Sequence, residues 1–491
     1  MKQPKQHSVK YNFVMNFVLS ASQFIFPLIT FPYVSRVLFA EGLGKISFAS
    51  SVANYFLMAA SLGIPTYGIR ACAQVRDDRE KLSKTVHELL MINSIATILV
   101  AVTYFICVIS VPRFRADESL FLINGISIIL NVAGMSWLFQ ALEQYDYITM
   151  RSLAFKVISV LLMIALVHKQ EDYLIYGSIS VFAAAGSNIL NLIRAHRYID
   201  FQWIGNYELK RHLKPIFILF AQSLAVSIYT NLDTVMLGFI KTDVDVGYYN
   251  AAVKIKSILL SLVTSLGNVL LPRMSYYAKE GMKKEFFLTM KKSLNFTMLM
   301  SFPLAIYFSL FSLECIQFLA GSGYDGAVAA MQIITIAVIP IGLTGILGIQ
   351  VLTAIEKEHY VLYSVIAGAV LDFLLNLVFI PSMGAAGAAL ATTITEFAVL
   401  IIQMIFTKEL LSRVKNKLQM HKYLILSLIS MALSYGTKLL PINSLLSRLI
   451  VSALAFFVTY GIGLLITKDE FAMDTMSFTM GKIKKRGSKD V

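Results

Sequence analysis

Charge is scarce in this chain, and the residue types that build disulfide frameworks and metal centres are scarcer still. Charged residues make up 15% of the 491 positions and hydrophobic residues 57%, a balance that excludes an ordinary soluble domain of this length. Cys72, Cys107 and Cys315 are odd in number and scattered. They give neither a disulfide framework nor a zinc spacing and read as ordinary buried thiols. The seven histidines are dispersed. No phosphate-cradling glycine pattern lies in the basic stretches 194–214 and 273–292, and the opposite loops are short, with adjacent carboxylates only at Glu171 and Asp172 and no paired histidines. A membrane-embedded polymerase, ligase or acyltransferase therefore lacks the constellation that its chemistry would need.

What the chain does have is apolar runs of about twenty residues, each long enough to cross about 30 Å of hydrocarbon as a helix. About fourteen are predicted, over 11–36, 45–64, 85–111, 118–141, 148–168, 173–193, 215–240, 245–272, 293–318, 326–353, 359–380, 384–407, 421–440 and 446–467. The fold class is an all-α integral membrane protein. Most of the 43 Lys and Arg fall in the N-terminus, the even-to-odd loops and the C-terminal tail, which places both termini in the cytoplasm. The net charge of +14 is then a positive-inside signal and a basic face toward anionic lipid, not a nucleic-acid footprint. MKQPKQHSVK precedes an apolar stretch too long for a secretory signal and without a small-residue cleavage site, so the stretch is expected to remain as the first span.

The chain also repeats. GLGKISFASS at 42–51 has a counterpart about 203 residues later in DVGYYNAAVK at 245–254, and the match continues through SLG at 61–63 and 265–267 to Arg70 and Arg273. FQALEQYDY at 139–147 similarly matches LTAIEKEHY at 352–360. An even number of spans separates equivalent positions, so the repeats run the same way through the membrane, related by an axis along its normal, with a cleft between them. The implied organisation is an N-terminal lobe over 1–200, a C-terminal lobe over 201–415, two additional spans over 416–470 and a basic tail over 471–491.

FPYVSRVLFAEGLGKISFA, LGIPTYGIR, FQALEQYDYI, DTVMLGF, VGYYNAAVKI, LGNVLLPRMSYY and GAAGAALATTITE together resemble the oligosaccharide flippases. These are the polysaccharide transporters of the multidrug/oligosaccharidyl-lipid/polysaccharide superfamily. The resemblance covers nearly the whole chain. It implies alternating access by two six-helix lobes around a central cavity, moving an undecaprenyl-pyrophosphate-linked repeat unit across the cytoplasmic membrane for capsule or exopolysaccharide synthesis. A polymerase and other assembly proteins would be partners. A cation-coupled multidrug exporter on the same fold is the alternative.

A pyrophosphate headgroup needs charge-assisted hydrogen bonds when it leaves water. Arg70 and Arg273, as repeat equivalents, would flank one entrance, although each also reads as a positive-inside anchor. Lys254 and Lys256 lie about 15 Å inside the eighth span. They point to nearly opposite faces, and Lys254 is the stronger candidate. Lipid II flippases carry cavity arginines in spans 1, 2 and 8; here span 1 has only Arg36 at its end and span 2 only Lys45 near its start. This departure weakens lipid II as the substrate.

The acidic candidates form a second group. Asp233 in YTNLDTVMLGF, Asp372 and Asn376 in VLDFLLNLVFIP, and Thr392 in GAAGAALATTITEF fall at similar expected depth, about 10–12 Å from one end of their spans. Hard oxygens of this kind bind a small cation or share a proton. The resemblance adds that related flippases build a sodium site from spans 7, 11 and 12, which makes Na+ or H+ the coupling ion. No other cofactor or metal is implied. Asp233 could instead form an ion pair with Lys254. Pro27, Pro32, Pro303 and Pro340 are candidate helix bends, and Glu143 and Glu356 are placed to orient short loops.

Overall fold

The computed structural model describes residues 9–265, 267–471 and 473; the first eight residues and the basic tail from 474 lie outside the described residues. No strand occurs among the described residues. The helices are α1 (Val9–Ser61), α2 (Ile64–Ala73), α3 (Arg79–Ser110), α4 (Pro112–Arg115), α5 (Glu118–Gly134), α6 (Ser136–Ala141) and α7 (Tyr145–Leu166). They continue as α8 (Tyr173–Val181), α9 (Asn188–Ala195), α10 (Lys210–Ile240), α11 (Asp243–Thr264), α12 (Gly267–Lys279), α13 (Lys283–Leu310) and α14 (Ser312–Ala320). The last are α15 (Ala327–Ile334), α16 (Val338–Thr344), α17 (Glu358–Met383), α18 (Ala385–Phe406), α19 (Lys408–Val414), α20 (Met420–Tyr435) and α21 (Leu445–Ile466).

Helix covers each of the expected apolar runs, because a backbone in hydrocarbon must satisfy its own hydrogen bonds. Ten stretches among the described residues are long and apolar enough to cross a membrane. One of these holds both the first and second expected spans: α1 is a single run broken at Phe39, whose φ of 54° and ψ of −176° are not helical. Pro27 and Pro32 lie inside helical backbone, so the break falls between the expected spans and not at a proline. The apolar side chains that soluble proteins bury are here exposed along whole helix faces, as at Ile98, Leu99, Val102, Ile106 and Ile109 of α3. Cys72 and Cys315 are buried and Cys107 half-buried, all as free thiols.

The chain divides into two compact units, Met1–Asn250 with Ala320–Gly323, and Ala251–Leu319 with Tyr324–Val491. In the first unit α1 packs against α3, α5, α7, α8 and α10. In the second, α17 and α18 form a hairpin, α18 packs on α15 and α16, and α13 carries α20 and α21. The hairpin turns at Gly384 (φ 54°), and a Cβ on Gly387 would stand 2.3 Å from the Phe379 carbonyl oxygen. The small-residue face of GAAGAALATTITEF thus brings two backbones together.

The repeat is visible in local geometry. Glu143 and Glu356 both adopt positive φ, 56° and 58°. The next amide reaches back to the carbonyl five residues earlier in each case, Gln144 to Phe139 at 2.9 Å and Lys357 to Leu352 at 2.8 Å. These paired helix-terminating turns close the two copies of the motif in the same way. Glu143 additionally holds Arg76 at 2.7 Å, the loop-orienting role expected for it.

Candidate functional site

Three cavities lie in the first unit, each sharing lining residues with the next. The first, about 290 Å³, lies among α1, α7 and α8; its lining includes Phe26, Pro27, Lys156, Val160, Met163 and Ser180. The second, about 190 Å³, shares Ser180 with the first and adds Asn54, Asn124, Asn131 and Asn188. The third, about 330 Å³, shares Asn131 and Asn188 with the second and adds Asn93, Trp137 and Gln140. Between Ser180 and Asn188 the helix widens into a π turn at Phe182–Gly186. The turn contributes Ala183 to the first cavity and Ala184 and Ala185 to the second. Single π turns inside helices recur at functional sites because they re-aim side chains without ending the helix.

Lys156 joins Lys254 and Lys256 as a lysine within an expected span, and the sequence alone did not single it out. It stands within the membrane-length helix α7. Its Nζ donates to Ser22 Oγ at 2.8 Å and lies 5.7 Å from the centre of the Phe26 ring. Among the described residues it has no carboxylate partner. Arg151, one turn earlier, is buried and donates to the Ser187 carbonyl at 3.3 Å. Counting charge inside the 148–168 run is the signal that finds both. Ammonium in a span costs about 2.5–3.5 kcal/mol on insertion scales, which makes a lone one a functional candidate.

The other cationic candidates sit as follows. Arg70 is exposed on α2, its guanidinium 5.5 Å from the Tyr67 ring. Arg273 is exposed on α12 in the second unit. Lys254 and Lys256 are both half-buried on α11, also in the second unit. Arg36 donates to the Pro32 carbonyl one turn back. Lys45 is matched by carboxylates, Glu41 at 3.0 Å and Asp117 at 3.9 Å. Asp117 also lies 3.7 Å from Arg113, which in turn bonds Asp243 and donates to the Gly238 carbonyl at 2.7 Å. Burial pushes the Asp243 carboxyl upward, against the pull of Arg113.

The acidic candidates divide between the units. Asp233 lies in the first, buried on α10, and accepts a hydrogen bond from the buried Tyr249 hydroxyl. Asp372, Asn376 and Thr392 lie in the second, all buried. Asn376 Nδ2 donates to Asp372 Oδ2 at 3.0 Å, so their four-residue spacing does place them on one face. Thr392 Oγ1 donates to the Ala388 carbonyl at 3.0 Å. Sequence reading missed Glu396, which is buried one turn beyond Thr392. Asn376 and Thr392 lie equally far along the chain from Gly384, as do Asp372 and Glu396, so the α17–α18 hairpin carries four buried oxygen-bearing side chains.

A third cluster, also not anticipated, ties α3 to the start of α10. Glu88 is fully buried and accepts from Arg211 Nη2 at 2.6 Å, the Glu208 amide at 2.8 Å and His212 Nε2 at 2.7 Å. The other ring nitrogen of His212 pairs with the Tyr67 hydroxyl of α2 at 2.8 Å. Nearby, Asp200 is held below the usual carboxylate range by its hydrogen bonds from Arg79, the shorter at 2.7 Å.

Comparison with known proteins places this architecture. A "Putative O-antigen transporter" of Escherichia coli (strain K12) is 25% identical over 407 residues, covering 82% of this chain and 97% of that protein. Among solved structures, the lipid II flippase MurJ in an inward closed conformation superposes with a TM-score of 0.70 over 93% of this chain and 99% of that one, at 16% identity. An inward-facing multidrug resistance MATE family transporter does so with a TM-score of 0.63 over 82% and 99%, at 12% identity. At those identities the superpositions establish a shared fold. The MatE family model matches residues 219–378. The family model described as polysaccharide biosynthesis protein matches residues 9–278, more than half of the chain, and the chain belongs to that family.

Proposed function

We propose that the chain is a transporter that flips an undecaprenyl-pyrophosphate-linked oligosaccharide repeat unit across the cytoplasmic membrane for capsule or exopolysaccharide synthesis, with both termini cytoplasmic. The observation that carries this reading is Lys156. A lysine inside a membrane helix, bonded to one neutral hydroxyl and bordering a cavity with mostly apolar walls, suits an amphipathic anion. Phosphate oxygens would take the ammonium in place of Ser22, and the walls formed by Phe26, Pro27, Val160 and Met163 would take isoprenoid carbon. A multidrug exporter selecting organic cations would instead need a carboxylate in that position. Arg70 and Arg273, with Lys254, Lys256, Arg36 and Lys45, remain the further cationic candidates along the headgroup's route.

Deletion of the gene should accumulate lipid-linked repeat units on the cytoplasmic side, recovered by solvent extraction. Accumulation of none would sink the flippase reading. Lys156→Ala should lower polymer export about tenfold, the worth of one charge-assisted hydrogen bond at about 1.5 kcal/mol, and Lys156→Arg should restore most of it. Equal export by all three would remove Lys156 from the site.

Coupling to Na+ or H+ is assigned to Asp233 and to the α17–α18 oxygens of Asp372, Asn376 and Thr392. One cation crossing 100 mV supplies about 2.3 kcal/mol. Asp372→Asn should preserve the fold, because an amide can still pair with Asn376, while abolishing the response of flipping in proteoliposomes to an imposed ion gradient. A gradient response that survives both Asp372→Asn and Asp233→Asn would place coupling elsewhere.

A further inference from the structure

The second and third cavities of the first unit have linings that the headgroup's phosphates do not explain. Neither lining contains Asp, Glu, Lys, Arg or His. What lines them is carboxamide, with Asn54, Asn124, Asn131 and Asn188 around one and Asn93 and Gln140 completing the other. These six side chains come from five helices, Asn124 and Asn131 sharing α5, so no single local motif brings them all together. Burying amides within membrane helices is costly unless each finds a partner.

Two of these amides carry the argument further. Asn93 is only 3% exposed, yet its Oδ1 has no hydrogen-bond partner among the described residues, and neither has Nδ2 of Asn131. The Oδ1 of Asn131 is already engaged by Ser61 Oγ at 3.2 Å. Asn93 and Asn131, which carry one unmet acceptor and one unmet donor, therefore both line the same 330 Å³ cavity. A hydroxyl, which donates once and accepts twice, is the group whose chemistry matches both. At about 30 Å³ per water in the liquid, this cavity has room for a group far larger than a single bridging water. Trp137 lines the same cavity.

We infer that this carboxamide tract is the sugar-binding part of the first unit, and that it selects uncharged sugars. Vicinal hydroxyls match an array of groups that both donate and accept. A uronic acid or other anionic sugar would enter a region with no opposing charge and leave a buried carboxylate unpaired. Ser180, shared between the second cavity and the Lys156 cavity, gives the order: lipid phosphate at Lys156, neutral sugars beyond it. The inference rests on the flippase reading and adds a substrate class to it.

The test uses the full chain in lipid nanodiscs with Trp203→Phe, which leaves Trp137 as the single tryptophan of the two in the sequence. Three radiolabelled probes are titrated: a polyprenyl pyrophosphate, the same lipid carrying an uncharged disaccharide, and the same lipid carrying a disaccharide with one uronic acid. The uncharged glycolipid should bind at least tenfold more tightly than the other two and alone shift Trp137 emission. Asn93→Leu or Asn131→Leu should bring its affinity to that of the bare lipid. Unchanged bare-lipid affinity in those variants certifies their fold.

Equal affinity for all three probes, or a preference for the uronic acid, overturns the inference and leaves the flippase reading intact. So does an uncharged-sugar preference that neither substitution reduces. Failure of every probe to bind overturns both.

Discussion

Gly44→Ala should cost the protein about 4 kcal/mol or more, enough to eliminate most of the folded population. A Cβ at position 44 would stand 1.7 Å from the Asp243 carbonyl oxygen and 3.1 Å from the Gly247 amide nitrogen. The obstacle is backbone, so no rotamer change relieves it, and the strain exceeds the 1–3 kcal/mol typical of overpacked side chains. The contact is reciprocal, since a Cβ on Gly247 would stand 2.0 Å from the Ala40 carbonyl oxygen. Asp243 and Gly247 lie 203 residues after Ala40 and Gly44, so equivalent residues of the two repeats meet each other across a local two-fold. Because both substitutions pry open one contact, the double variant Gly44→Ala/Gly247→Ala should cost far less than the sum of the singles. Gly461→Ala serves as control: nothing lies within 4 Å of its added Cβ, and in mid-helix alanine should be neutral or stabilising by up to about 1 kcal/mol. Monodispersity and thermal unfolding in detergent decide the matter. A Gly44→Ala protein as stable as Gly461→Ala would mean that the helices do not meet this closely.

That contact also shows which features a sequence of this kind discloses. Glycine at equivalent positions of GLG and DVG belongs to the repeat on sequence grounds alone, and the length of the apolar runs locates the helices because lipid leaves the backbone no alternative. The paired turns at Glu143 and Glu356 are legible as a motif, though not as left-handed residues, since glutamate carries no conformational signature. Asp372 and Asn376 share a face as their spacing requires. Arg151 lies close to the start of its run, where it passes for positive-inside charge, and Lys156, about one and a half turns further in, is easily counted with it. The carboxamide tract is less accessible still. Asparagine is neutral and raises no alarm in a hydropathy scan, and these side chains converge only after five separate chain segments have packed. The seven-residue interval between Asn124 and Asn131, which sets both on one face of α5, is the available clue. Asp233 stands out as anomalous in its apolar run, but Tyr249, its hydrogen-bond donor, lies among residues whose sequence signal is the repeat.

Glu88→Ala should destabilise the first unit by about 3 kcal/mol or more, through the groups it abandons rather than the contacts it removes. Its carboxylate accepts from three donors: the Arg211 guanidinium, the His212 ring and the Glu208 amide. The start of α10 has no side-chain cap from its own N-terminal residue Leu209, and Glu88 supplies from α3 the negative charge that a helix N-terminus favours. Arg211 is half exposed and water can reclaim it, which limits its share of the loss. His212 is 3% exposed and cannot be rehydrated without opening the packing between α2, α3 and α10. Hydrogen bonds to a charged group are worth about 1.5–3 kcal/mol each when a buried partner is stranded. Glu88→Gln keeps the shape and one acceptor oxygen and should lose roughly half as much. Tyr67→Phe removes only the last link of the chain, His212 Nδ1 to the Tyr67 hydroxyl, at about 1 kcal/mol. The order Ala, Gln, Tyr67→Phe is readable by thermal unfolding. It is also readable by trypsin cutting after Arg197, Lys210 and Arg211, which should accelerate as α10 loosens. Equal losses from Glu88→Ala and Tyr67→Phe would show that the carboxylate is not the centre of the cluster. Preserved trypsin resistance in Glu88→Ala would show that α10 is held by packing alone.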